Sequence, residues 1–224
     1  MEPIVSARGV RKVYRNGAEV EALKGIDFTI EQGEMVAIVG PSGSGKTTLL
    51  NCLAGLEHID AGEIHVDGKD LAAMADNART DHRAHSMGFV FQAFNLLPVL
   101  TAVENTEIPM LLIGASAKQA RARALETLEL VGLGARGDHR PDQLSGGEQQ
   151  RVAVARALVH EPAIVWADEP TGNLDTESTE AIMSLLEKLN AGGQTIAMVT
   201  HNMGIAKRAA RMVRMRDGLI EDGV

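Results

Sequence analysis

Gly40-Pro41-Ser42-Gly43-Ser44-Gly45-Lys46-Thr47 fits the pattern G-x-x-x-x-G-K-[ST]. It stands between an apolar run, Met35 to Val39, and a helical stretch from Lys46 to about Ala54, the context in which such a loop cradles phosphates. Backbone N–H groups can close around phosphate oxygens only where Cβ atoms do not obstruct them, and the helix N-terminus adds partial positive charge. Lys46 supplies a point charge for the β and γ phosphates, and Thr47 a hydroxyl for Mg²⁺; Thr48 is grouped with them as nucleotide-binding. A glycine-rich turn ahead of a helix would explain Gly40 and Gly45, but not a lysine and a hydroxyl directly after them.

Upstream of this loop, short apolar runs alternate with turn signals: Ile4 to Val10, Asn16-Gly17, Ile26 to Ile30, Gln32-Gly33. Asn-Gly is a strong hairpin signal, so this region is expected to be strand-rich and partly antiparallel. Downstream, Gly62 to Gly68 reads as strand and turn. Residues from about Ala93 to Val159 read as a helical insertion: Thr101 to Leu112 interrupted by Pro109, Lys118 to Val131, and Glu148 to Val159. Ala163 to Ala167 and Thr195 to Thr200 are short strands around a helical Thr176 to Leu189, and Asp217-Gly218 predicts a closing hairpin. The expected class is α/β, one domain over 1–224, with a nucleotide-binding core at 1–92 and 160–224 and a helical sub-domain at 93–159.

Two further stretches carry chemistry. Ile164-Val165-Trp166-Ala167-Asp168-Glu169 puts two carboxylates where an apolar strand emerges, the edge at which open α/β sheets bind ligands. Asp168 is the expected Mg²⁺ partner; Glu169, one residue on, points elsewhere and can polarise an attacking water as general base. Adjacent carboxylates are commonly just solvated turn residues, but a triphosphate site needs both a metal and a positioned water. Leu144-Ser145-Gly146-Gly147-Glu148 opens a helix, with Ser145 and Glu148 at capping-box spacing. Two successive glycines cost helix stability, and they suggest a second phosphate-binding helix end that another molecule approaches closely. It lies about a hundred residues beyond Gly45, so a second copy of the chain is expected to supply it to the first copy's nucleotide.

Composition excludes several alternatives. The 224 residues carry a net charge of −8, against general affinity for nucleic-acid backbones or anionic lipid. The N-terminus lacks a secretory-signal pattern, and no apolar run reaches the roughly 18 residues of a membrane helix, so a membrane role must come through a partner. Cys52, the one cysteine, sits among Leu49, Leu50 and Leu53 as a buried thiol. His82 and His85 have no zinc-type constellation around them and receive no role.

With these residues in place, the chain resembles the ATPase subunits of ABC transporters, whose three defining motifs match Gly40 to Thr47, Leu144 to Gln149 and Ile164 to Glu169. The resemblance covers nearly the whole chain. It implies a P-loop NTPase of the ABC ATPase fold, with an N-terminal antiparallel β region and an inserted helical sub-domain. It also implies a head-to-tail pair of subunits around two ATP and Mg²⁺, in which Ser145, Gly146, Gly147 and Glu148 face the partner's nucleotide. By the same resemblance Tyr14 stacks on adenine, Gln92 lies near metal and water, Asp175 follows in the loop after Glu169, and His201 contacts the γ-phosphate. From the residues alone, Tyr14 could equally be a half-buried strand residue and His201 a turn histidine. The stretches Phe89 to Pro98, Thr101 to Asn105 and Asp168 to Asp175 are similar to the lipoprotein-release, macrolide-export and cell-division subgroup.

That subgroup implies an integral membrane permease, contacted near Gln92 to Leu100, at the cytoplasmic face of the inner membrane. The apolar cluster Phe94, Leu96, Leu97, Val99 and Leu100 is either that contact or the helical sub-domain's own core. A cell-division or regulatory ATPase that transports nothing is the alternative. DNA-maintenance clamps carry a long coiled coil between the motifs, and translation factors two ATPase units in one chain; neither pattern is found, and no regulatory domain is expected after the last hairpin.

Overall fold

In the computed structural model, which describes residues 3–15, 17 and 19–221, strand parity divides the core in two. Met35, Ala37 and Val39 of β3 (Met35–Val39) face one apolar cluster, while Val36 and Ile38 face the other. The same alternation holds in β7 (Ile164–Asp168), with Val165 and Ala167 on one side and Ile164 and Trp166 on the other. Strands buried on both faces read as continuous apolar runs, the signature of a covered parallel sheet. Such a sheet forms here in the order β10-β9-β3-β8-β7-β6, from β6 (Met87–Phe91), β8 (Thr195–Val199), β9 (Arg211–Arg216) and β10 (Leu219–Glu221) with the two above. All neighbours are parallel except β10, which turns back on β9 through Asp217-Gly218.

The N-terminal region forms the expected antiparallel layer: β1 (Val5–Tyr14), β2 (Val20–Ile30), β4 (Ala61–Val66) and β5 (Lys69–Asp70), in the order β2-β1-β4-β5. Tyr14 lies opposite Val20, while Asn16 and Ala18 of the intervening turn lie outside the described residues. This layer and α1 (Lys46–Leu53) cover one face of the parallel sheet. The other face takes α3 (Ala102–Leu112), α4 (Ala117–Leu130), α5 (Gly146–Leu158) and α6 (Thr176–Ala191). Gly88 lets α5 approach β6: a Cβ there would lie 2.2 Å from the Ala157 carbonyl oxygen.

One expectation needs correcting, and two elements were not read from the sequence. Helix α3 runs unbroken through Pro109, which sits in its last turn, with a complete capping box between Thr101 and Glu104 at its start. The helix α2 (Asp76–Ser86) has one buried residue, Arg79, so it offers no apolar periodicity to read. Strand β6 lies inside the expected 1–92 core, but its five residues are too short an apolar run to be read as a strand by pattern alone.

The phosphate loop is wedged between the two sheets. Gly218 N–H donates to the Ser44 carbonyl at 3.1 Å, and Lys24 N–H donates to the Gly218 carbonyl at 2.9 Å. A Cβ at Gly40 would lie 2.1 Å from the Met215 carbonyl oxygen, and one at Gly45 would lie 2.7 Å from that of Ala22. Gly218 has φ +80°, and a Cβ on it would lie 2.8 Å from the same Ala22 oxygen. Gly218→Ala is therefore expected to cost about 2 kcal/mol from the left-handed backbone and the overlap. Both the melting temperature and the affinity for ATP should fall together, read by thermal unfolding and nucleotide titration.

Candidate functional site

Helix α1 begins at Gly45, a left-handed N-cap with φ 99° that offers no side-chain acceptor, and its first turn holds no acidic residue. Its leading N–H groups and dipole are thus left for an external anion. Lys46, buried, donates from Nζ to the Pro41 carbonyl at 2.9 Å, so the ammonium is already drawn over the loop. These groups open on a cavity of about 730 Å³, lined also by Tyr14, Ala22, Ser42, Gly43, Thr48, Glu169 and His201. Asp217 and Gly218 line it too; nothing in the sequence reading pointed to that hairpin turn as part of the site.

Tyr14 is the last residue of β1 and lines this cavity. Its hydroxyl donates to Glu57, which also accepts from Asn51 Nδ2 at 2.9 Å, and burial with that bond pushes the phenol upward. Lys12 lies 5.2 Å from the ring centroid. The ring is therefore fixed in orientation before any ligand arrives.

Parity places Asp168 on the same side of β7 as Ile164 and Trp166, towards α1, and the Thr47 hydroxyl donates to Asp168 Oδ1 at 3.3 Å. Burial raises the Asp168 carboxyl above its usual range; the Thr47 bond and Lys46 oppose this, and neighbouring Glu169 adds to it. Among the described residues Asp168 makes no ion pair, and a desolvated carboxylate beside a hydroxyl fits the oxygen donors that Mg²⁺ takes.

Glu169 leaves the strand with φ +48° and is gripped by the end of β8. Its Oε1 accepts from His201 N–H at 2.9 Å and pairs with His201 Nδ1 at 2.7 Å, and its Oε2 accepts from the Thr200 hydroxyl at 3.1 Å. With Nδ1 donating to this carboxylate, Nε2 is the ring atom left for a ligand. Thr200 was missed by sequence reasoning because its role depends on β7 and β8 being neighbours.

Gln92 is not among the residues lining the cavity; its amide Nε2 donates to Asn173 Oδ1 at 3.1 Å. Gln150, fully buried, was also missed: its amide donates to the carbonyls of Phe91 and Pro170, tying the end of β6 to the loop after Glu169.

The Ser145 helix end lines another part of the surface, and none of its residues lines the cavity. The capping box is complete: Ser145 Oγ accepts from Glu148 N–H, and Glu148 Oε2 accepts from Ser145 N–H at 2.8 Å. That bond holds the Glu148 carboxyl below its usual range, with Arg136 adding at 3.3 Å. The N–H groups of Gly146 and Gly147 are the pair left over at this end.

The two glycines differ. A Cβ on Gly147 would lie 2.6 Å from Ser178 Oγ, so its own chain already demands glycine there, whereas Gly146 has room, its nearest atom being Leu174 Cδ2 at 3.7 Å. Only Gly146 keeps the expectation that approach from outside is the reason. Asp175 caps α6, accepting from Ser178 N–H at 2.7 Å, and that bond lowers its carboxyl.

Of the apolar run after Gln92, Leu96 packs on the core, while Leu97 and Val99 stand exposed at 48% and 72%. A separate groove of about 400 Å³ is lined by Phe89, Phe91, Ile108, Pro109 and Leu112 together with Arg83, Arg156 and His160. Cys52 is buried as expected, its thiol pushed up to about 12 by that burial. Among the described residues no helix is long and apolar enough to cross a membrane.

The profile of the family described as ABC transporter matches residues 23–172. The chain is 49% identical to an uncharacterized ABC transporter ATP-binding protein of Thermotoga maritima, over 99% of its own length and 95% of that protein's. It is 48% identical to the lipoprotein-releasing system ATP-binding protein LolD of Saccharophagus degradans, over 97% and 96% respectively. Against the macrolide export ATP-binding/permease protein MacB of Chlorobaculum tepidum it is 48% identical, spanning 33% of that longer protein. Among solved structures, the dimeric post-hydrolysis state of the ATP-binding cassette MJ0796 bound to ADP and Pi superposes with TM-score 0.89 at 42% identity, covering 98% of this chain and 97% of the other.

Proposed function

The chain belongs to the ABC transporter ATPase family, and from that premise we propose that two copies close head to tail around two ATP and drive a membrane permease of the lipoprotein-release or macrolide-export kind. The chain is an ATP-hydrolysing subunit that energises a separate membrane-spanning protein. The observation that carries the finer reading is the split of the nucleotide-binding groups over two surfaces. The phosphate loop and Glu169 line one cavity, with Asp168 joined to it through the Thr47 hydroxyl, while the N–H groups of Gly146 and Gly147, without a partner among the described residues, lie outside it.

In this reading Thr47 and Asp168, with Gln92, would hold Mg²⁺, which would supply charge neutralisation to the triphosphate. Lys46 and the α1 N–H groups hold the phosphates, and Tyr14 offers its ring to the base. Glu169, locked by Thr200 and His201, orients the attacking water and receives its proton, while His201 Nε2 meets the γ-phosphate. The partner's Ser145 to Glu148 end closes over that phosphate. Residues 93–159 act as an arm that carries this end, and the groove beside Leu112 takes a helix of the permease at the cytoplasmic face of the membrane. Mechanical coupling, rather than contact with cargo, is then the ATPase's contribution.

Leu112 is 73% exposed at the end of α3, so Leu112→Lys should fold and keep its own ATPase rate. Its affinity for the permease is expected to fall by roughly tenfold or more, as for an interface anchor. Co-purification and permease-stimulated ATPase measure this. Unchanged stimulation would remove the groove from the coupling path, and stimulation without any transported substrate would favour the regulatory alternative.

A further inference from the structure

We infer that Glu57 is a positioning residue for ATP: it ties the Tyr14 ring, the proposed seat of the base, to the helix whose N-terminus takes the phosphates, and so presets the span between the two ends of the nucleotide. The inference rests on the role proposed for Tyr14 above.

Both oxygens of the Glu57 carboxylate are committed, one to each side. Oε2 accepts from the Tyr14 hydroxyl at 2.5 Å, and Oε1 accepts from Asn51 Nδ2 at 2.9 Å. Asn51 lies on α1, one turn beyond Thr47, and its carbonyl accepts from the N–H groups of Leu56 and Glu57 at 2.8 and 3.2 Å. Backbone and side chain together fold the loop after α1 back onto the helix, which gives the carboxylate a fixed place relative to Lys46 and Thr47. The Thr48 hydroxyl, 3.5 Å from the phenol oxygen, is a second and longer link from Tyr14 to α1.

A phenol donating to a carboxylate makes a charge-assisted bond, stronger than one between neutral groups. Lys12 supports both partners: its Nζ lies 3.9 Å from Glu57 Oε2 and 5.2 Å from the Tyr14 ring centroid, and it donates to the His58 carbonyl at 2.7 Å. Tyr14 lines the cavity, whereas Lys12 and Glu57 do not, so the ring keeps its cavity side open and Glu57 acts on a ligand through Tyr14. Holding an aromatic side chain in place before binding removes the ordering cost from the binding step; freeing it weakens affinity by roughly fivefold.

Dissociation constants for ATP and for inorganic triphosphate, which has no base, are measured by equilibrium titration on full-length wild type, Glu57→Ala, Tyr14→Phe, the double variant and Tyr14→Ala. Glu57→Ala and Tyr14→Phe should each raise the Kd for ATP by roughly fivefold and leave that for triphosphate unchanged, and the double variant should be no weaker than either. Tyr14→Phe removes the same bond while leaving Glu57 on Asn51, so it answers the question if the alanine variant folds poorly. Either single change leaving the Kd for ATP as in wild type, an equal loss for ATP and triphosphate, or additive losses in the double variant would overturn the inference. Tyr14→Ala binding ATP as tightly as wild type would instead overturn the reading of Tyr14 on which it rests.

Discussion

Glu169→Gln is expected to bind ATP as tightly as wild type and to lose hydrolysis by about a hundredfold or more, the range for removal of a general base. Glutamine keeps the shape of the residue. Its carbonyl oxygen can still accept from His201 N–H, and its amide can donate to the Thr200 hydroxyl, so the lock from the end of β8 survives. What disappears is an oxygen able to take the proton of the attacking water. With ATP uncleaved the closed pair cannot reopen, so a stable dimer should accumulate on adding ATP and Mg²⁺. Size-exclusion chromatography with single-turnover kinetics reads both effects; turnover at the wild-type rate would take Glu169 out of the chemistry.

Mixing two inactive variants gives the second large effect. Lys46→Ala removes the ammonium that leans over the loop. Gly146→Asp places a carboxylate at the helix end that would face the partner's γ-phosphate, at the one glycine of the pair whose surroundings admit a side chain. Each variant alone is expected to hydrolyse ATP at a hundredth of the wild-type rate or less. In a mixed pair, one site combines both lesions and the other combines an intact phosphate loop with an intact Ser145 end. An equimolar mixture should therefore recover about a quarter of wild-type activity if sites turn over independently. Recovery is possible only if the site is shared between copies, and a mixture as inactive as its components would rule out that sharing. Gly147 would be the wrong choice for this experiment, because a side chain there collides with Ser178 and confounds binding with folding.

The phosphate loop, the acidic pair and the capped Ser145 helix were legible because each is a local pattern with a local cause. Glycines mark where backbone must approach a ligand or another strand, a lysine and a hydroxyl after them have no structural duty, and alternation along a strand sends Asp168 and Glu169 to opposite sides. Helix α2 and strand β6 were not legible, for the former buries only Arg79 and the latter is five residues long. The glycine pair was half legible: the chain's cost in helix stability was visible, but its reason at Gly147 is a neighbour 31 positions away.

By itself, then, the sequence determined the class of the fold and the nucleotide chemistry and nominated the residues proposed to carry it, since these follow from the residue types and short-range spacing. Only the tertiary structure decided how those residues are held: that the β9–β10 turn braces the phosphate loop, that the end of β8 fixes Glu169, that Gln92 rests on Asn173, and that the Ser145 end stands apart from the cavity. Those contacts join segments from about 30 to more than 170 positions apart, and sheet order, which no local pattern encodes, is what brings them within hydrogen-bond reach.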